Sequence, residues 1–190
     1  HASLVPVMLE RLLAHREDRR APPTLACLLV GGAETPLPLL ERALSLDYPV
    51  ALTYGLTEAT SQVATATPEE VRRCPGSVGQ PLPGVELRID SRGEILVRGP
   101  TVERPSPPSR GGSAGREEPG SRDEDRSVGV DAAGWLHTGD VGRLDEAGAL
   151  WVTGRLSDRI LTGGVTVEPV EVESVVLGLP GVREVAAFGL

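Results

Sequence analysis

Lysine is absent from the 190 residues, and so is asparagine. All 19 basic residues are arginine, a usage that fits a nucleotide-composition bias of the coding genome. The chemical consequence is independent of that origin: a mechanism that needs a lysine ammonium cannot be completed within this sequence. Aromatic residues make up only 3% and the net charge is −8, so neither the stacking platforms nor the basic surface of a nucleic-acid-binding protein is present. Cys27 and Cys74 lack C-x-x-C spacing, and with three histidines they argue against a disulfide scaffold or structural zinc site, reading instead as reduced thiols of a cytoplasmic protein. No apolar run approaches the roughly 20 residues of a membrane span, and no basic segment leads into an apolar stretch at the start.

What remains is room for one domain with a real core, or one and a half. Leu4, Val5, Met8, Leu9, Leu12 and Leu13 fall at helical spacing, which predicts an amphipathic helix over 3–16 with Ser3 as its N-cap. Leu25 to Val30 is a continuous apolar run ending in Gly31-Gly32, the pattern of a buried parallel strand and a tight turn. A helix over 36–46, with Thr35 as cap, leads to a second short buried strand over 49–52. Strand, helix, strand makes a βαβ unit.

From Gly76 the pattern changes to short alternating strands over 85–89 and 94–98, then a hairpin of 141–144 with 149–153. Residues 103–131 are dense in Pro, Gly, Ser and charge and nearly empty of large apolar side chains, so they read as a disordered insert. After Arg155 come an irregular glycine loop, a helix over 169–179 begun at Pro169 behind the weak cap Glu168, and a strand over 182–188. The fold class is therefore α/β: an αβ-layered part over 1–75, a small β-rich, barrel-like subdomain over 76–154, a connection over 155–158, and the start of an α+β domain over 159–190. A strand left without a partner at the end is uncommon in a complete protein.

At the carboxyl end of the second strand, where ligands sit in open α/β sheets, stands Thr53-Tyr-Gly-Leu-Thr-Glu-Ala-Thr-Ser-Gln62. Here Gly55 would let the backbone turn sharply, Thr57 could donate to a phosphate oxygen, and Glu58 could face a divalent cation. Downstream stand Gly134-Trp-Leu-His-Thr-Gly-Asp140 and Gly154-Arg-Leu-Ser-Asp158, followed by Ile160-Leu-Thr-Gly-Gly164 and Glu168-Pro-Val-Glu-Val-Glu173. In this order and spacing the set resembles the adenylate-forming superfamily of acyl-CoA synthetases, nonribosomal-peptide adenylation domains and luciferases, over nearly the whole chain apart from 103–131. The first part would then be the end of the adenylate-forming large domain.

The resemblance implies that a carboxylic acid and ATP give an acyl-adenylate, and that coenzyme A then displaces AMP. It implies Thr57 at the α-phosphate, Glu58 on Mg²⁺, Tyr54 against the adenine, and Gly31, Gly32 and Ala33 where backbone approaches adenine and acyl group. Asp140 matches the acceptor for both ribose hydroxyls, and Arg155 a donor to the same ribose. Ser157 stands where relatives carry a hinge aspartate or lysine, with Asp158 after it, and Gly163 and Gly164 match the loop that passes the pantetheine arm. His137 reads as a strand-edge residue, since the sequence indicates no carboxylate or hydroxyl partner for it.

The continuation through Ser61 and Gln62 looks most like o-succinylbenzoate–CoA ligases of menaquinone biosynthesis. In that reading the two side chains contact polar groups of the acid, while ordinary helix-start hydrogen bonding accounts for them as well. Other acyl- or aryl-CoA synthetases, a nucleotide-binding pseudoenzyme, and a scaffold whose 103–131 loop recruits partners stay open, as does a homo-oligomer. The family's phosphate loop and its lysine have no counterpart in these residues, so the chain is expected to be an internal piece of a longer synthetase, inactive alone.

Overall fold

The computed structural model describes residues 1–17, 19–102, 129–182 and 185–189. Four strands, β1 (Ala2–Leu4), β2 (Leu28–Val30), β3 (Val50–Gly55) and β4 (Gln62–Ala66), form one sheet in that order. The first three are parallel and β4 returns antiparallel to β3. Helices α1 (Pro6–His15) and α2 (Leu37–Ser45) make the crossovers, burying Leu9, Leu13, Leu40 and Ala43 against Leu28, Val30, Val50 and Leu52.

Three local expectations are corrected here. Residues 2–4 are a strand rather than the first helical turn, and Val5, not Ser3, occupies the N-cap. Pro6 explains this, because its ring forces the preceding residue into extended backbone, and Ala2–Leu4 then pairs with Leu28–Val30. Likewise Pro36 is itself the N-cap of α2, with no side-chain cap bond. The strand β4 and the helix α3 (Pro68–Arg73) have no counterpart among the expected elements. The signal for α3 is nevertheless in the sequence: Thr67 and Glu70 form a capping box, with Thr67 N donating to Glu70 Oε2 at 2.8 Å and Glu70 N to Thr67 Oγ1 at 3.3 Å.

The second sheet holds β5 (Glu86–Ile89), β6 (Glu94–Arg98), β7 (Gly129–Val130), β8 (Leu136–Leu144) and β9 (Leu150–Arg155). Its order is β5-β6-β8-β7, with β9 also on β8 and every pair antiparallel. Among the described residues this sheet stays open rather than closing into a barrel. Of the expected insert, residues 103–128 lie outside the description, whereas Gly129–Val130 pairs with β8. β6 is not the half-exposed strand that its alternation implied: Glu94, Ile95, Leu96 and Val97 are all buried between neighbours.

Residues 77–82 bind the two sheets together. Leu82 N donates to Val63 O at 2.9 Å, and Val78 N and Leu150 N bond across to Leu150 O and Gly79 O at 2.9 and 2.8 Å. The crossing demands glycine at 79, where φ is +81° and an added Cβ would stand 2.5 Å from the Thr65 and Ala66 backbone. A second core, including Tyr54, Val63, Ile95, Leu136 and Leu150, fills the space between the sheets.

Beyond β9, a single 3₁₀ turn, Leu156–Asp158, leads to the hairpin β10 (Ile160–Thr162) and β11 (Val165–Val167), then α4 (Pro169–Leu177). The expected glycine loop is thus a tight two-residue turn, with φ of +57° at Gly163 and +80° at Gly164. No strand forms among the described residues of 182–188; 183 and 184 lie outside the description. An isolated extended segment without a paired neighbour has nowhere to place its backbone hydrogen bonds. Among the described residues no helix is long and apolar enough to cross a membrane.

Candidate functional site

After Tyr54-Gly55 the chain leaves β3, makes one 3₁₀ turn at Thr57–Ala59, reverses at Thr60 and returns as β4. Gly55 is needed here, though not for the reason expected. Its φ lies outside the left-handed region, but a Cβ would stand 2.4 Å from Ser61 O, where the β3/β4 register shifts. The left-handed residue is Thr60, with φ +64°, held by its Oγ1 donating to Thr101 O at 2.7 Å. A β-branched residue in that region is strained, and no local sequence signal announces it.

The turn forms one wall of a cleft of about 590 Å³. Thr57, Glu58, Ser61 and Gln62 line it together with Gly32, Gly55, Asp140 and Arg155, so most of the residues singled out from the sequence meet there. Thr53, Leu56 and Thr60 line it too, without a role expected for them. Gln62 opens a strand rather than a helix. Gly31 lies behind the wall, where an added Cβ would meet Thr53 Cγ2 at 2.5 Å; Gly31 and the exposed Ala33 are not among the lining residues.

Asp140 is the buried charge of the site, 7% exposed. It pairs in register with Arg155 across β8 and β9, and Arg155 Nε lies 3.0 Å from its Oδ1. Tyr54 OH donates to its Oδ2 at 2.8 Å. Burial pushes the Asp140 carboxyl above its ordinary value; the Tyr54 and Arg155 contacts oppose that shift, and the nearby Glu58 charge adds to it. Burial first, and the Asp140 charge second, push the Tyr54 phenol far up, so it remains a donor at any physiological pH.

Tyr54 packs in the core between the sheets, is not among the residues that line the cleft, and holds Asp140 through its hydroxyl. His137 corrects an expectation: it is buried, with Nδ1 2.9 Å from Glu94 Oε2 and Nε2 3.7 Å from Asp131 Oδ2. The sequence hid these partners because Glu94 lies 43 residues away and reads as a solvated strand residue until the fold buries it. Trp135, immediately before β8, is flanked by Arg88 and Arg98 at 4.8 and 4.5 Å from its ring centre.

Ser157 and Asp158 are exposed in the turn after β9, with Ser157 Oγ donating to Asp158 Oδ1 at 2.8 Å. Neither they nor the exposed Gly163 and Gly164 reach the cleft. Arg159 ties this segment back, binding Glu168 Oε1 through Nε and the Arg92 carbonyl through Nη1, both at 2.6 Å. Glu168 therefore serves as a partner of Arg159 and caps no helix with its side chain.

Among the described residues no group of three or more His, Cys, Asp or Glu could hold a metal ion. Of the two carboxylates that line the cleft, Asp140 is held by Tyr54 and Arg155, while Glu58, beside Thr57, suits a hard divalent cation whose other ligands are phosphate oxygens and water.

Residues 1–105 match the AMP-binding enzyme family. A 2-succinylbenzoate–CoA ligase of Bacillus cereus is 39% identical over 197 residues, which cover 99% of this chain and 38% of the relative. The structure of o-succinylbenzoate CoA synthetase from Bacillus subtilis in complex with its acyl-adenylate intermediate matches with a TM-score of 0.77 at 38% identity, covering 97% of this chain and 37% of that one. The same enzyme in complex with ATP and magnesium ion gives 0.75 at 38%, with the same coverage. The chain thus spans about two fifths of the length of the relatives it matches. With the family match taking in the Thr57–Glu58 wall and the relatives' likeness continuing through Asp140 and Arg155, this chain belongs to the AMP-binding enzyme family.

Proposed function

We propose that the chain carries the ribose and α-phosphate side of the ATP site of a carboxylate–CoA ligase, and that the acid is o-succinylbenzoate. The observation that carries the proposal is the posture of Asp140. A carboxylate offers about four lone-pair positions; Tyr54 OH and Arg155 Nε occupy one on each oxygen, and the remaining pair suits the two neighbouring hydroxyls of a ribose. Arg155, exposed at the rim, keeps further N–H groups for the same sugar.

A ribose on Asp140 sends its 5′-phosphate across the cleft toward Thr57 and Glu58. The substrate carboxylate oxygen attacks the α-phosphorus, the bond to the bridging oxygen breaks, and pyrophosphate leaves. Thr57 Oγ1 would donate to an α-phosphate oxygen, where negative charge builds as the bond forms. Glu58 would hold Mg²⁺, which when bound supplies charge neutralisation between attacking and leaving anions. In the second step the thiol of coenzyme A, as thiolate, attacks the acyl carbonyl carbon and AMP departs, with Gly163 and Gly164 beside the pantetheine arm and Ser157-Asp158 as the hinge. Ser61 and Gln62 would meet the acid's second carboxylate or keto group.

The relatives named for 2-succinylbenzoate support this acid, and the retained Thr57 and Glu58 favour a catalyst over a nucleotide-binding pseudoenzyme. The test is ATP–pyrophosphate exchange and CoA thioester formation by the protein expressed from its own gene, with o-succinylbenzoate against medium-chain and aryl acids. Preference for o-succinylbenzoate is expected. Preference for another acid overturns the substrate, and exchange with none overturns the ligase.

A further inference from the structure

The geometry points to Glu94 as the residue that positions Asp140; the inference rests on the role proposed for Asp140 and goes beyond it. The β6–β8 ladder pairs Glu94 with Val141 and Leu96 with His137, and its register slips between them. Residues 138–140 therefore face a single residue of β6, and the strand must arch away from its neighbour where Asp140 stands. In an arch of this kind the regular backbone bonds are lost, and buried N–H groups need other acceptors.

Glu94 supplies one. It is 1% exposed, and its Oε1 accepts from Gly139 N at 3.0 Å. Its Oε2 lies 2.9 Å from His137 Nδ1 and accepts from Arg92 Nη2 at 2.7 Å. The next residue completes the set: Thr138 Oγ1 donates to Ile95 O at 2.7 Å and accepts from Asp140 N at 3.1 Å. Each residue from His137 to Asp140 is thus tied, directly or through Thr138, to Glu94-Ile95. Glu94 does not line the cleft and acts only by fixing the arch. Asp140 accepts ribose hydroxyls in one orientation, so slack in the arch lowers affinity for the nucleotide and leaves the acid site and the chemical step alone.

The test uses the protein expressed from its own gene. Glu94→Ala is expected to raise the KM for ATP by about tenfold or more, with kcat and the KM for the acid within about threefold. Glu94→Gln, which keeps an acceptor for Gly139 N–H, recovers most of that loss. In an Asp140→Ala background Glu94→Ala adds less than about twofold, because the residue it positions has gone. Additive effects in the double variant, or a fall in kcat with the KM for ATP unchanged, overturn the proposal. Should Glu94→Ala fail to fold, Thr138→Val loosens the other end of the arch, and an unchanged KM for ATP there overturns it as well. Amide hydrogen exchange over 136–141 reports the arch without any turnover: Glu94→Ala loses protection there and Glu94→Gln keeps it, while full protection in Glu94→Ala sinks the idea. A wild-type protein that exchanges pyrophosphate with no acid would refute the ligase reading alone and leave the exchange measurement to decide on Glu94.

Discussion

Replacing Tyr54 with phenylalanine isolates one hydrogen bond at the centre of the site. The ring stays in the core between the sheets, so no cavity forms, and what is lost is the donor 2.8 Å from Asp140 Oδ2. A bond to a charged group contributes about 1.5–3 kcal/mol, and one to a neutral partner about 0.5–1.5 kcal/mol. Which applies depends on pH. Burial holds the Asp140 carboxyl above its ordinary value of 3.8, and Tyr54 opposes that shift, so Tyr54→Phe raises the folded-state value further. A carboxyl raised in the folded state contributes stability that is fully present below the unfolded value and is lost as pH rises through the folded one. The penalty of Tyr54→Phe is therefore the neutral one at low pH and the charged one above the folded value, a difference of about 1 kcal/mol. For a chain of this size that corresponds to about 2–4 °C in Tm per kcal/mol. Thermal unfolding followed by circular dichroism at about pH 3.5, below the ordinary carboxyl value, and at about pH 8 should show a larger Tm deficit at the higher pH. An equal deficit at both values, or none, would refute the assignment of Tyr54 as the donor to an ionised, buried Asp140.

Gly79→Ala should cost about 3–5 kcal/mol, since it combines a left-handed alanine with a clash against the β4 backbone that displaces hydrogen bonds of the 77–82 strip; a urea midpoint unchanged from wild type would contradict that crossing. Glu58→Gln should lower the rate of acyl-adenylate formation by about 10²–10³-fold, the scale of removing one electrostatic contributor at a developing charge. The melting temperature should stay near wild type, because among the described residues Glu58 makes no hydrogen bond or ion pair that the fold would lose. Pyrophosphate exchange at the wild-type rate would remove Glu58 from the metal role.

Much of this molecule could be read from short stretches of sequence, for a common physical reason. The βαβ unit, the position of Thr57 and Glu58 at the end of β3, and the β8–β9 hairpin depend on periodicity, proline and glycine acting over a few residues. That hairpin brings Asp140 opposite Arg155, fifteen residues apart in sequence, past a register shift between Val141 and Gly142. The two failures at helix starts are of the same local kind: Pro6 and Pro36 limit backbone angles more strongly than Ser3 or Thr35 attract a cap.

Tertiary structure alone decided which polar groups are buried together. Tyr54 meets Asp140 across 86 residues and Glu94 meets His137 across 43. The hydroxyl of a tyrosine beside a glycine turn has no visible partner, and a glutamate in a strand reads as solvated, until the facing strand is known. The register slip between β6 and β8 belongs to the same class, because it lies in the pairing of residues more than 40 positions apart, on a strand that also pairs with β7 and β9. Local sequence determines where a carboxylate lies along the chain; whether that carboxylate is paired, buried and aimed depends on long-range strand pairing, which local periodicity does not encode.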